Sequence, residues 1–116
     1  MRSVMAFWGY RPVLPEFAIE DPKEDFRTAR VIEQYHIGSK ALFMPGGGFS
    51  WKYLPIDRIR GVIPGRESKD ESSAMGGYHI EHPTIRVIYQ GGAEVLILES
   101  RSQAENLFSL LKRSYQ

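Results

Sequence analysis

The last third of the chain constrains its fold more than any other stretch. Thr84–Tyr89 and Ala93–Leu98 are two apolar, β-branched runs on either side of Gln90-Gly91-Gly92, and together they predict a β-hairpin. A single amphipathic helix follows. Ser102-Gln103-Ala104-Glu105 has the form of a capping box. Ala104, Leu107, Phe108, Leu111 and Tyr115 then recur at helical spacing on one face. Lys112 and Arg113 stand at the end where cations suit the helix dipole. A hairpin followed by one amphipathic helix buries its apolar surface by covering a sheet. The expected class is therefore mainly β with a C-terminal helix.

The strands upstream fit that class. Lys40–Met44 is a short apolar run ending at Pro45-Gly46-Gly47-Gly48, a strong turn signal. Phe49, Trp51 and Tyr53 then alternate with Ser50 and Lys52, the period of a half-buried strand. The two runs predict a second hairpin. After Pro55 a strand or edge strand is expected over Ile56–Ile63, ended by Pro64-Gly65. Arg66–Gly77 is polar, small and glycine-ended, and reads as a mobile surface loop. Tyr78–Glu81 reads as the start of a further strand.

Nearer the N-terminus, Asp21-Pro22-Lys23-Glu24 carries a helix-start signature, with Asp21 as cap, Pro22 at the first helical position and Glu24 at the capping-box position. A short helix to about Arg30 is expected, then a strand over Val31–Ile37. The alternative is a longer helix to Tyr35 with Gly38 as its C-cap. Residues 1–20 interleave Phe7, Trp8, Tyr10 and Phe17 with Pro12 and Pro15, which prevent a regular helix. They read as an extended aromatic arm that packs on its own domain or docks on a neighbouring subunit. The division expected is an arm over 1–20 and one domain over 21–116.

The order of elements resembles bacterial pleckstrin-homology-like and GRAM-like domains. The resemblance rests on the apolar run Lys40–Met44, the Tyr-x-Pro-x-x-x-Ile passage of Tyr53, Pro55 and Ile59, and the closing strand, turn, strand and helix. It covers roughly Val31–Tyr115. It implies a roll or barrel of two roughly orthogonal antiparallel sheets, with the helix plugging one open end. Folds of this kind host many functions, so the resemblance speaks to architecture first.

Composition narrows the chemistry. The chain has 116 residues, a net charge of +1 and no cysteine. Thiolate metal sites, disulfides and thiol nucleophiles are excluded. A near-neutral chain has no global field to gather nucleic acid or anionic lipid. The apolar start Val4–Trp8 is too short for a signal peptide, and no run is long enough to span a membrane, so a cytoplasmic location is expected.

The chemistry-bearing residues are few. His79-Ile80-Glu81-His82 resembles a metal motif, but on a strand His79 and Glu81 share a face and His82 points away. His36 stands apart. No metal and no cofactor is expected. Gly46-Gly47-Gly48 precedes a strand and not a helix, so a hairpin turn outweighs a phosphate loop. Gly47-Gly48-Phe49-Ser50-Trp51 lacks the second glycine of a nucleophile elbow. Trp51-Lys52-Tyr53 interleaves aromatics with a base but lacks the charge that nucleic acid needs. Lys52, Arg58, Arg60 and Arg66 are the densest basic set; on a strand Arg58 and Arg60 project from one face. The reading is a non-catalytic interaction or scaffold domain that binds protein, including a second copy of itself, with Phe7, Trp8, Tyr10 and an exposed strand edge as contacts. The alternative is an anionic lipid headgroup module using the basic strand, so a membrane surface is the second partner and nucleic acid is none. A small enzyme ranks last.

Overall fold

The computed structural model describes residues 9–71 and 78–115 and is mainly β, with two open sheets and a C-terminal helix. The chain divides into two compact units, one through Arg58 and one from Ile59.

The first unit holds a five-stranded sheet in the order β1-β5-β4-β3-β2. Its strands are β1 (Tyr10–Pro12), β2 (Arg30–Ile32), β3 (Tyr35–Ile37), β4 (Ala41–Pro45) and β5 (Trp51–Pro55). The predicted hairpin of β4 and β5 is present, with Phe43 opposite Tyr53. Its turn is closed by Gly46 N–H donating to Ser50 O at 3.0 Å and Ser50 N–H to Gly47 O at 3.1 Å. Gly47 and Gly48 have positive φ, the region where glycine is free and other residues are strained. Phe49 sits in that turn, 76% exposed, and not in the aromatic row of β5.

Two expectations are corrected here. The strand expected over Val31–Ile37 is a tight hairpin, with Ile32 opposite Tyr35. Glu33 makes the turn at φ 55°, a conformation normally left to Gly or Asn, so no composition cue marked it. The sheet is also not wholly antiparallel, because β1 lies parallel to β5, with Tyr10 beside Trp51. Part of the proline-rich arm is thus a strand of this sheet.

Helix α1 (Pro22–Arg27) starts as its signature requires: Asp21 Oδ1 accepts from Glu24 N–H at 3.2 Å. Glu24 does not complete a capping box; its carboxylate takes Arg27 instead, at 2.7 Å. The helix covers one face of the sheet with Phe26, whose ring lies 5.1 Å from Tyr10, 5.2 Å from Phe43 and 4.8 Å from Trp51. Ala41, Phe43 and Tyr53 form the buried centre beneath it.

The second unit is a three-stranded antiparallel sheet, β6 (Ile59–Glu71), β7 (Tyr78–Tyr89) and β8 (Gly92–Ile97), covered by α2 (Arg101–Tyr115). The β7–β8 hairpin turns at Gln90-Gly91, with Gly91 at φ 101°. Val62, Ile85, Val87 and Leu96 are buried on one face of the sheet. Leu107 and Leu111 of α2 are fully buried, and the helix packs on β6 and β7. It covers a sheet face; it does not plug a barrel, and neither sheet closes. An open three-stranded sheet with one apolar face needs this kind of cover. The helix is capped two residues earlier than expected: Ser100 Oγ accepts from Gln103 N–H at 3.3 Å, and Ser102 lies inside the helix.

The largest departure concerns the expected loop. β6 does not stop at Pro64-Gly65 but runs on to Glu71, paired with β7 as far as Tyr78. Pro64 is tolerated because β6 is an edge strand. Pro83 is tolerated in the middle strand because β8 pairing stops at Thr84. There the carbonyl of Pro83 still accepts from Leu98 N–H at 3.0 Å, and the missing proline N–H is not needed. Residues 72–77, the rest of the expected loop, lie outside the described residues.

Candidate functional site

The four cations singled out in the sequence fall in both units. Lys52 and Arg58 belong to the first unit, Arg60 and Arg66 to the second. Lys52 is on β5 between Arg11 and Met44. Arg58 is not on a strand: it ends a 3-10 turn over Ile56–Arg58, so it does not share a strand face with Arg60. Its guanidinium lies 3.7 Å from the centroid of Phe17, a cation–π contact. Arg60 donates to Gln90 Oε1 at 3.4 Å. Arg66 donates to Glu81 Oε1 at 3.3 Å.

Of the aromatic arm, Phe7 and Trp8 lie outside the described residues. Tyr10 is committed to the first unit's own cluster, 5.8 Å from Phe43 and edge-on to it. Tyr10 is partly buried there. His36 joins the same cluster. It stacks on Phe26 at 4.2 Å and 14° and meets Trp51 at 4.8 Å and 66°. Burial holds its pKa below the ordinary histidine value.

Sequence reasoning missed the most heavily bonded polar side chain of the unit. Asp25 is buried, and its carboxylate accepts from Ser39 N–H at 2.9 Å, Ser39 Oγ–H at 3.0 Å, Lys40 N–H at 3.1 Å and Ala41 N–H at 3.0 Å. Consecutive N–H groups that converge on one carboxylate form an anion nest. A Cβ on Gly38 would collide with the Asp25 carboxylate. All of its bonds are internal, so the nest fastens α1 to the β3–β4 turn and is structural.

The second unit carries a concave surface. A cleft of about 760 Å³ lies between α2 and the adjoining stretches of β6 and β7. Ile85, Ala104 and Phe108 supply apolar lining; Glu81, Glu99 and Glu105 supply negative charge, and Arg66 and Arg101 positive. His82 also lines it, whereas His36 is in the other unit. Among the described residues no group of three or more His, Cys, Asp or Glu could hold a metal ion.

The strand bordering this cleft has an unusual edge. β8 pairs with β7 only from Thr84 to Tyr89, whereas β6 pairs with β7 down to Tyr78. Beyond Pro83, β6 and β7 form a two-stranded ribbon. On its outer side no described strand continues the line of β8. Glu81, His82 and Pro83 belong both to that edge and to the cleft.

A second apolar surface lies on the sheet face away from α2. Ile63, Arg86 and Val95 are lateral neighbours there, with Ile63 49% and Val95 54% exposed. Among the described residues no helix is long and apolar enough to cross a membrane. Comparison of the chain with protein-family models, curated proteins and solved structures returned no significant match in any of the three.

Proposed function

We propose that the chain is a non-catalytic protein-interaction domain, and that its working surface is the cleft of the second unit with the adjoining edge of β7. The supporting observation is that β7 outruns β8 beside a cleft of about 760 Å³. An open strand edge is a template for another chain, and proteins usually cover or blunt it. The apolar lining of Ile85, Ala104 and Phe108 offers contact area next to it, and the lining charges of both signs suit a polypeptide. Two sheets followed by a C-terminal helix is the element order implied by the pleckstrin-homology-like resemblance, with barrel closure left out of the proposal.

The lipid-headgroup reading has less to stand on. Three of its four cations, Arg58, Arg60 and Arg66, already contact Phe17, Gln90 and Glu81.

A photo-cross-linking amino acid at Ser109, an exposed cleft residue, tests the proposal in the source cell. The expected result is a discrete protein adduct, absent when the same group replaces Lys23 on α1. Only uncross-linked chain at Ser109 would overturn the reading.

A further inference from the structure

The open edge of β7 also carries the information for its own partner. In register, Leu98 lies opposite Pro83 and donates to its carbonyl at 3.0 Å. In an antiparallel ladder the residues that exchange such bonds alternate along the strand. Odd-numbered residues of β7 therefore turn their backbone groups toward β8, and even-numbered ones toward β6. Past Pro83 the next odd positions are Glu81 and His79. Their N–H and C=O groups face the side where no described strand continues.

Two such positions flanking a single residue are self-complementary. Place a two-fold axis at Ile80, and β7 pairs antiparallel with β7 of a second copy. Residue 81 then stands opposite residue 79 of that copy, and 79 opposite 81. Each of these pairs exchanges both of its backbone hydrogen bonds, through groups to which no described strand is paired. The residue types agree with this register, since it sets a glutamate opposite a histidine at both pairs. An isologous contact of this sort is the commonest route to a homo-oligomer.

Resting on the interaction-domain reading above, we propose that the partner is a second copy of this chain, joined edge to edge through Tyr78–His82 into a continuous β6-β7-β7-β6 ribbon. Pro83 marks where the shared edge begins, because it has no N–H to offer and its carbonyl is already taken by Leu98.

Sedimentation equilibrium of the full chain tests this with two variants. Glu81→Pro removes one outward N–H from the edge and leaves the ladder to β6 intact, because that N–H faces away from β6. Glu81→Ala removes the ion pair to Arg66 and keeps the backbone. The expected result is a dimer for the parent and for Glu81→Ala, and a monomer for Glu81→Pro. A parent that is monomeric at all concentrations, a dimeric Glu81→Pro or a monomeric Glu81→Ala would each overturn the proposal.

Ile80→Cys guards against a Glu81→Pro variant that fails to fold. Residue 80 meets itself at a non-hydrogen-bonded pair, where Cα atoms lie about 4.5 Å apart, within disulfide range. The chain has no other cysteine, so oxidation should give a single covalent dimer. Failure to form it above the level seen for Ser109→Cys counts against the two-fold register. A parent that stays monomeric while Ser109 still yields an adduct with a different protein would refute self-pairing and leave the interaction-domain reading in place.

Discussion

A single histidine gives the first unit its expected acid sensitivity. His36 packs against the rings of Phe26 and Trp51, and burial lowers its pKa from the unfolded value of 6.5. The unfolded chain then binds the proton more readily than the folded one. Stability from this site is fully present above pH 6.5 and falls as the pH drops below it. One group contributes a slope of at most about 1.4 kcal/mol per pH unit. Urea melts at a series of pH values should show this decline in the parent and a flatter profile in His36→Phe. Parallel profiles would assign the acid sensitivity to other groups. The sequence placed His36 on a strand among apolar neighbours. It held no sign of the stacking, which depends on α1 bringing Phe26 across the sheet.

At the scale of elements, the contact that fastens α1 is the Asp25 carboxylate in its nest of N–H groups. Asp25→Ala leaves the N–H groups of Ser39, Lys40 and Ala41 without the carboxylate they donate to. Each unsatisfied buried donor is costly, so the loss should be about 3 kcal/mol in denaturant unfolding. Gly38→Ala attacks the same contact from the other side, because its Cβ collides with the carboxylate. The double variant should lose less than the sum of the two, as expected of groups sharing one interaction. Strict additivity would mean that the nest does not hold the helix.

The elements also show where the sequence was legible. The β4–β5 and β7–β8 hairpins were readable because glycines stand at the turns and apolar alternation flanks them. The helices were readable from capping residues and, for α2, from its stripe. The β2–β3 hairpin was not, because Glu33 takes a positive φ that nothing in its identity announces. Arg66–Glu71 reads as loop because it is wholly polar. A polar strand without apolar alternation leaves no hydrophobic period to read.

For the whole molecule, the mainly β class with a closing helix was readable, but the division after Arg58 was not. Pro55 and the 3-10 turn behind it look like a strand interruption in the sequence; in the structure they end one sheet before the next begins at Ile59. The candidate site was hidden for a related reason. It depends on β7 being longer than β8, a difference that arises only when Tyr78–Pro83 pairs with a segment that reads as loop. Of the residues singled out in advance, Arg66 and His82 line the cleft, His79 and Glu81 bear on the edge, and Arg58 and Tyr10 are committed within the first unit.

The central claim is that the outer edge of β7 is the contact surface. Amide hydrogen exchange, followed residue by residue at low and at high protein concentration, addresses it without any substitution. The N–H of Ile85 is held by β8 in every state and should exchange slowly at both concentrations. The N–H of Glu81 should exchange quickly when the chain is dilute and become protected as concentration rises. A Glu81 amide whose exchange does not change with concentration would contradict the account.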